Sequence, residues 1–553
     1  MGFNYSGLGS EALYRLRRQS FRAFEVQRQV LREIMLRNRN TEIGRQLGFA
    51  GIRSVQEYQN RAPVSEYHDY AGQIDRMLDG QTNLLTADDA VYFSLTSGTT
   101  GEPKYLPVTE ADLKVHCLYA YYAIFGMIRE YYPDLPEEKL FSKIFQVGEF
   151  VETFLPDGRM NGIRSSSLYQ WLDRDGRFDT SDYCAPKQVV FPDTLEDLTY
   201  VKARFALAEP EVRGIHGVFI HRMIGMLRYI ESHWDLLLHD METGDVSPEA
   251  GISEERKAFL RDRLPADPVR AGELRQLRTG PGMALRIWPE LKYVIVIGGS
   301  AFAPYMEQLR YYTERVPIHY FAYAASEGVF AVAPGLDRPD EYLLIPEAGL
   351  FEFLPVDAPK GTRPLLFWEL RPGMRCELIF TNRSGLYRYA MGDVLEITGF
   401  YGQSPIIKFC YRENQAINIA NEMMTTEDLE AAIRHFEREE GIDLDGRYCV
   451  CDDYSTWTPC YKLYLEADGL DPARAAELFD SCLSRECWGY HGCRKLGEIG
   501  PPRVVLIPEG SFAAYDRMLA DSGRYTAQGK PLRILNSPKA RHWFEQLEEM
   551  KKL

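Results

Sequence analysis

The sequence predicts an α/β protein of two domains, a large one over residues 1–411 and a small C-terminal α/β one over residues 412–553. Three observations carry that expectation. A chain of 553 residues is longer than one hydrophobic core normally organises. The run Leu291-Lys292-Tyr293-Val294-Ile295-Val296-Ile297, closed by Gly298-Gly299-Ser300, has the β-branched composition of a strand buried on both faces of an α/β sheet. After about residue 411 the pattern changes to mixed α and β segments with acidic helices, such as Thr425 to Glu440.

Taken in order, the first ~60 residues read as helices, because Leu, Phe and Val recur periodically among Arg and Glu. Pro63-Val64-Ser65-Glu66-Tyr67 opens a new segment, and Val91-Tyr92-Phe93 reads as a short strand. An aromatic helix follows from Leu113 through Tyr131. Ile215-His216-Gly217-Val218-Phe219 leads into another helical stretch ending near Trp234. Pro317-Ile318-His319-Tyr320-Phe321-Ala322-Tyr323 is a second strand. Polar alternation and turn residues over 342–410 indicate short antiparallel strands.

Composition narrows the function. A net charge of −16 disfavours a nucleic-acid partner, which would need basic patches. No apolar run approaches the ~18 residues that span a bilayer. Arg15, Arg17 and Arg18 fall where a signal peptide would need its apolar core, so a cytoplasmic, membrane-free protein is expected. Ten cysteines, six of them between Cys449 and Cys493, show no Cys-x-x-Cys pair and read as reduced thiols, with a zinc module as the alternative.

The most informative stretch is Thr96-Ser97-Gly98-Thr99-Thr100-Gly101-Glu102-Pro103-Lys104. Small residues let backbone N–H groups point at phosphate oxygens, hydroxyls add donors, and Lys104 supplies a cation. The P-loop of nucleoside triphosphatases ends in Gly-Lys-Ser/Thr, whereas Tyr105 follows Lys104 here. Four more stretches suit nucleotide chemistry. In Tyr323-Ala324-Ala325-Ser326-Glu327-Gly328 the tyrosine ring can stack on a purine and the carboxylate can hold Mg²⁺. In Gly385-Leu386-Tyr387-Arg388-Tyr389-Ala390-Met391-Gly392-Asp393 the aspartate can accept from ribose hydroxyls, though for this stretch alone an ordinary β-turn is the better reading. Arg412, in Phe409-Cys410-Tyr411-Arg412-Glu413-Asn414, can reach ribose or phosphate at the domain boundary. Lys530, in Tyr525-Thr526-Ala527-Gln528-Gly529-Lys530-Pro531-Leu532-Arg533, can neutralise charge growing on an α-phosphate.

Five such elements in this order resemble the Gretchen Hagen three family of acyl acid amido synthetases, within the adenylate-forming superfamily. Ile287-Trp288-Pro289-Glu290-Leu291-Lys292 and Phe351-Glu352-Phe353-Leu354-Pro355 also match, so the resemblance runs from about residue 60 to about 535. It implies a large N-terminal α/β domain with a β-barrel part and a small mobile C-terminal lid. It implies that ATP phosphates are wrapped by Thr96, Ser97, Gly98, Thr99 and Thr100. Adenine would lie by Tyr323 and Ala324, in the stretch that includes Ser326, with Gly299 and Ser300 near its edge. Mg²⁺ would bind Glu327, ribose would be held by Asp393 and Arg412, and Lys530 would serve the adenylation step. The substrates implied are a small carboxylic acid and an amine or amino acid. An acyl-CoA-type ligase and a nucleotide-binding pseudoenzyme are the alternatives.

Two departures bear on substrate choice. Plant members carry arginines early in the helix after the phosphate loop, where they receive the acid. Here the nearest positions are Val115 and His116, followed by Tyr119, Tyr121, Tyr122 and Phe125, so plant-hormone acids are not expected. Residues 119–125 and 216–226 are the expected acyl-site walls, although both also fit helix core. Glu422-Met423 stands where plant members often have Asp-Lys, which would alter a contact to the adenylate or the amine. The oligomeric state is left open.

Overall fold

A computed structural model describes residues 4–96, 104–148, 153–174, 176, 180–190, 192, 198–298, 303–356, 358–359, 361–412, 418–420, 422, 424, 426–444, 446–467, 469–521, 533–535 and 538–550. It divides into two compact units, one comprising Met1–Thr96 with Pro103–Glu413 and the other containing Asn414–Leu553. No helix among the described residues is long and apolar enough to cross a membrane.

The N-terminal unit contains three sheets. A fully parallel one has the strand order Ile144–Gln146, Gly214–Phe219, Tyr293–Ile297, Ile318–His319. Tyr293–Val296 is buried throughout, as an apolar strand covered on both faces requires. Helix Ile220–Ser232 follows one strand directly, and helix Ala303–Thr313 precedes another. Trp288 is fully buried just before the central strand, and its Nε1–H donates to the carbonyl of Ala206 at 2.9 Å.

The expected strand over 317–323 is two strands in different sheets. Phe321 adopts φ +49°, a left-handed conformation unusual for a bulky side chain, and this breaks the run. Ile318–His319 stays in the parallel sheet, while Ala322–Ala325 starts a seven-stranded antiparallel one. That sheet runs Leu350–Pro355, Arg375–Thr381, Tyr389–Tyr401, Ser404–Arg412, Tyr342–Leu344, Gly328–Val332, Ala322–Ala325. No pairing joins its first and last strands among the described residues, so it is described as an open sheet and not as the expected barrel. Phe330, Phe351 and Phe380, from three of its strands, pack ring to ring with centroids 4.7–6.5 Å apart.

In the remaining sheet, Ala90–Thr96 pairs antiparallel with Lys104–Thr109, and Thr96 is the register partner of Lys104. The register therefore sets Thr96 opposite Lys104, the residues that flank positions 97–103. Thr109 caps the helix that follows, accepting from the Asp112 amide.

The aromatic segment is a helix from Glu110 to Tyr131 interrupted by a π-turn at Leu118–Tyr122. One π-turn rotates the side chains beyond it relative to a continuous α-helix. Helix Tyr5–Ser20 packs on the second half of this segment. At Gly9 and Gly126 the backbones are so close that a Cβ on either glycine would strike the other's main chain.

The C-terminal unit has a three-stranded sheet, Tyr448–Asp453, Cys460–Leu465 and Arg503–Leu506, with helices that include Thr426–Glu440, Pro472–Glu486 and Pro538–Met550. Cys449 and Cys451 sit in its core with Tyr464, Leu535 and Phe544. None of the ten cysteines is joined in a disulfide, and burial raises the Cys451 thiol to about 12, so Cys451 packs as a small apolar group. Among the described residues no cluster of His, Cys, Asp or Glu is arranged for a metal.

Candidate active site

Strand geometry gathers the sequence motifs. The Tyr323 hydroxyl donates to Oδ2 of Asp393 at 2.5 Å, across 70 residues of sequence, and both side chains are buried. Tyr323 also packs its ring against Phe330 and Phe409, with centroids 5.1 and 6.1 Å away. Asp393 is the register partner of Arg412 in the neighbouring strand, which pairs the two positions expected to hold a ribose. Ser326 and Glu327 form the two-residue turn after Ala322–Ala325, since Ala325 pairs with Gly328. The Ser326 hydroxyl donates to the Leu95 carbonyl at 3.2 Å, one residue before Thr96. Asn382 Nδ2 donates to the Glu327 carbonyl at 2.9 Å. Ala324 lies in the same strand as Tyr323, partnered with Val329.

Lys104 does not stand alone at the hairpin. Its Nζ lies over the Tyr67 ring, 5.3 Å from the centroid, an arrangement that steadies a cation. Ser97, Gly98, Thr99, Thr100, Gly299, Ser300 and Lys530 lie outside the described residues. Three positions beyond Lys530, the chain is fastened to the C-terminal sheet. The Arg533 carbonyl accepts from the Val450 amide at 2.9 Å, and the Arg533 guanidinium lies 4.3 Å from the Tyr448 ring centroid.

A second feature lies in the N-terminal unit, toward the carboxyl ends of its parallel strands, the usual place for a ligand in such sheets. A crevice is lined by His116, Ala120, Tyr121, Ile124 and Phe125 from the aromatic helix, and by Gln146, His216 and Ile295 from successive strands. Gln146 is the register partner of His216, and His216 that of Ile295. Leu168, Tyr169 and Phe321 complete the apolar walls. Both expected wall segments thus meet in one crevice, but only in part. Tyr119 turns elsewhere, and its hydroxyl donates to Gln19 and Glu347 at 2.8 Å each.

The crevice contains neutral polar groups. His216 Nε2 is 3.2 Å from the Tyr293 hydroxyl, and burial pushes its pKa down to about 3. Burial also holds His116 well below its ordinary pKa, and the Arg164 guanidinium adds a like-charge penalty. Arg164 itself is ion-paired with Asp112, and both side chains are buried.

Glu422, the first residue of the Glu422-Met423 pair, is held by groups of its own unit. Its carboxylate accepts from the Ile419 and Ala420 amides at 2.6 Å each and from the Tyr461 hydroxyl. Burial raises its pKa.

Sequence comparison matches the GH3 family N-terminal domain over residues 12–318, its central domain over 342–412 and its C-terminal domain over 427–539. The chain belongs to the GH3 family. The crevice residues from His116 to Ile295 fall in the GH3 N-terminal domain, Asp393 and Arg412 in the central one, and Lys530 in the C-terminal one. Among GH3 relatives, the jasmonoyl–L-amino acid synthetase GH3.5 of Oryza sativa subsp. japonica is 26% identical over 93% of this chain and 92% of its own length. The indole-3-acetic acid-amido synthetase GH3.6 of Arabidopsis thaliana is 28% identical over 89% of this chain and 85% of its own. The structure of the AtGH3.15 acyl acid amido synthetase in complex with 2,4-DB superposes with a TM-score of 0.66 at 23% identity, covering 97% of this chain and 95% of that one. The GH3 fold therefore extends over nearly the whole chain.

Gln146, Leu168, Tyr169 and Phe321 were not legible as site residues. Gln146 is a single polar residue at the end of a three-residue strand, and no motif flags it.

Proposed function

We propose that this protein is an ATP-dependent acyl acid amido synthetase that adenylates a carboxylic acid and transfers the acyl group to an amine or amino acid. The observation that carries the reading is the Tyr323–Asp393 hydrogen bond. Together with the Ser326–Leu95 contact, it brings residues 95, 323–326 and 393 into one neighbourhood, next to the start of the phosphate-type loop. The membership of the GH3 family, whose named relatives are amido synthetases, supports it.

In this reading adenine stacks by Tyr323 and Ala324 near Gly299, Ser300 and Ser326, and ribose is held by Asp393 and Arg412. Thr96, Ser97, Gly98, Thr99 and Thr100 grip the phosphates. Glu327 offers the hard oxygen donor that Mg²⁺ prefers, and the ion would offset charge on the pyrophosphate leaving group. The substrate carboxylate attacks the α-phosphate and pyrophosphate departs, with Lys530 of the lid domain neutralising the charge that develops. An amine then attacks the activated carbonyl carbon and AMP leaves. The acid's tail occupies the crevice between the aromatic helix and the parallel sheet.

The test is incubation of the protein with MgATP, a mixed set of small carboxylic acids and the common amino acids, read by mass spectrometry. AMP together with a new amide mass is expected. An acyl-CoA product formed on adding CoA, with no amide in any mixture, would refute the amide reading.

A further inference from the structure

The crevice contains two polar atoms that the protein does not satisfy. Gln146 and His116 are each 3% exposed, and among the described residues neither Oε1 of Gln146 nor Nδ1 of His116 has a hydrogen-bond partner. Both residues line the crevice. The Gln146 amide is oriented by its other end, since Nε2 donates to the Gly148 carbonyl at 3.4 Å and a flipped amide would set two acceptors against each other. Oε1 can therefore only accept. His116 is neutral for the reasons given above, so its ring offers one acceptor nitrogen and one N–H. Around them the walls are mostly hydrocarbon and aromatic, with Ala120, Tyr121, Ile124, Phe125 and Leu168, and Ser165 adds a hydroxyl.

We infer that the crevice selects acids whose apolar tail carries a hydrogen-bond donor, a hydroxyl or an amino group, received by Gln146 and His116. The inference rests on the amido synthetase reading and names the substrate class of that same site. A purely hydrocarbon tail would leave both polar atoms buried and unpaired. A site of that kind discriminates strongly, because the analogue lacking the donor strands the protein's acceptor.

The experiment is acid-dependent pyrophosphate release from MgATP by the full-length protein, with an amino acid mixture present. The probes are matched pairs: benzoate with 3- and 4-hydroxybenzoate and 4-aminobenzoate, phenylacetate with 4-hydroxyphenylacetate, and hexanoate with 6-hydroxyhexanoate. The expected result is kcat/KM at least about tenfold higher for a donor-bearing member than for its parent. Gln146→Leu should bring that ratio to about one or below. The wild-type ratios test the inference even if the variant fails to fold. Parents used as well as or better than their donor-bearing partners would overturn the inference and leave the amido synthetase reading standing. Pyrophosphate from none of the acids would overturn the reading, and the inference with it.

Discussion

The Tyr323 hydroxyl donates to Oδ2 of Asp393, joining the hairpin after the parallel sheet to the long strand Tyr389–Tyr401. The bond orients a buried carboxylate beside a buried aromatic ring, in the nucleotide neighbourhood proposed above. Tyr323→Phe keeps the ring and removes the donor. The KM for ATP should rise about tenfold, corresponding to ~1.4 kcal/mol, a typical value for a hydrogen bond to a charged group. Steady-state kinetics at saturating acid checks this, and an unchanged KM would show that the bond is merely structural.

Glu352 and Arg388 form a buried ion pair close by. The Arg388 guanidinium donates to the Glu352 carboxylate at 3.0 Å and to the Gln59 and Ala62 carbonyls at 2.8 and 2.6 Å. Arg388 also adopts φ +50°, so the surrounding bonds hold an unfavourable backbone conformation. Glu352→Ala leaves a buried cation without its counter-ion and should cost about 3–5 kcal/mol in urea unfolding. A loss below 1 kcal/mol would contradict this role.

The contact of Gly9 with Gly126 sets the position of the helix that carries Ile124 and Phe125. Gly126→Ala should destabilise by about 1–3 kcal/mol through overpacking, and it should raise KM for the acid more than KM for ATP. Gly272, in helix Pro268–Arg275, has open space around its would-be Cβ. Gly272→Ala should stabilise by about 0.5–1 kcal/mol, since alanine is the better helix former. Equal effects of the two changes on urea midpoints would refute the packing argument.

His216 and His319 are buried with pKa values pushed down to about 3 by desolvation. In the unfolded chain a histidine titrates near 6.5, so below that pH the unfolded state binds more protons than the folded one. The stability these residues contribute is complete above about pH 6.5 and falls as the pH drops toward 3, at up to about 1.4 kcal/mol per pH unit for each. Urea unfolding at pH 7, 6 and 5 should show this slope, and His319→Gln should flatten it. A wild-type stability independent of pH over this range would contradict the assignment of neutral buried histidines.

Local chemistry made much of this molecule readable. The run at 291–297 is apolar enough that only a doubly covered strand suits it, and it is the centre of the parallel sheet. Tyr323, Ser326, Glu327 and Asp393 stand in short motifs whose residue types announce nucleotide chemistry, and their gathering follows from strand pairing. The break at Phe321 was not readable, because nothing in Tyr320-Phe321-Ala322 signals a positive φ. The crevice was readable only by halves. The aromatic helix advertises itself, whereas Gln146 acquires meaning solely from standing beside His216 across two strands. The surroundings of Glu422 were not readable, because the three donors that hold its carboxylate come from Ile419, Ala420 and the distant Tyr461.

The most direct test of the central claim follows the carboxylate oxygen. An accepted acid labelled with ¹⁸O in its carboxylate is converted with unlabelled MgATP and an amino acid, and the products are weighed. Attack on the α-phosphate followed by amine attack on the carbonyl carbon places one ¹⁸O in AMP and one in the amide. ADP in place of AMP, with ¹⁸O in inorganic phosphate, would mean that the acid is activated as an acyl phosphate, and would contradict adenylation.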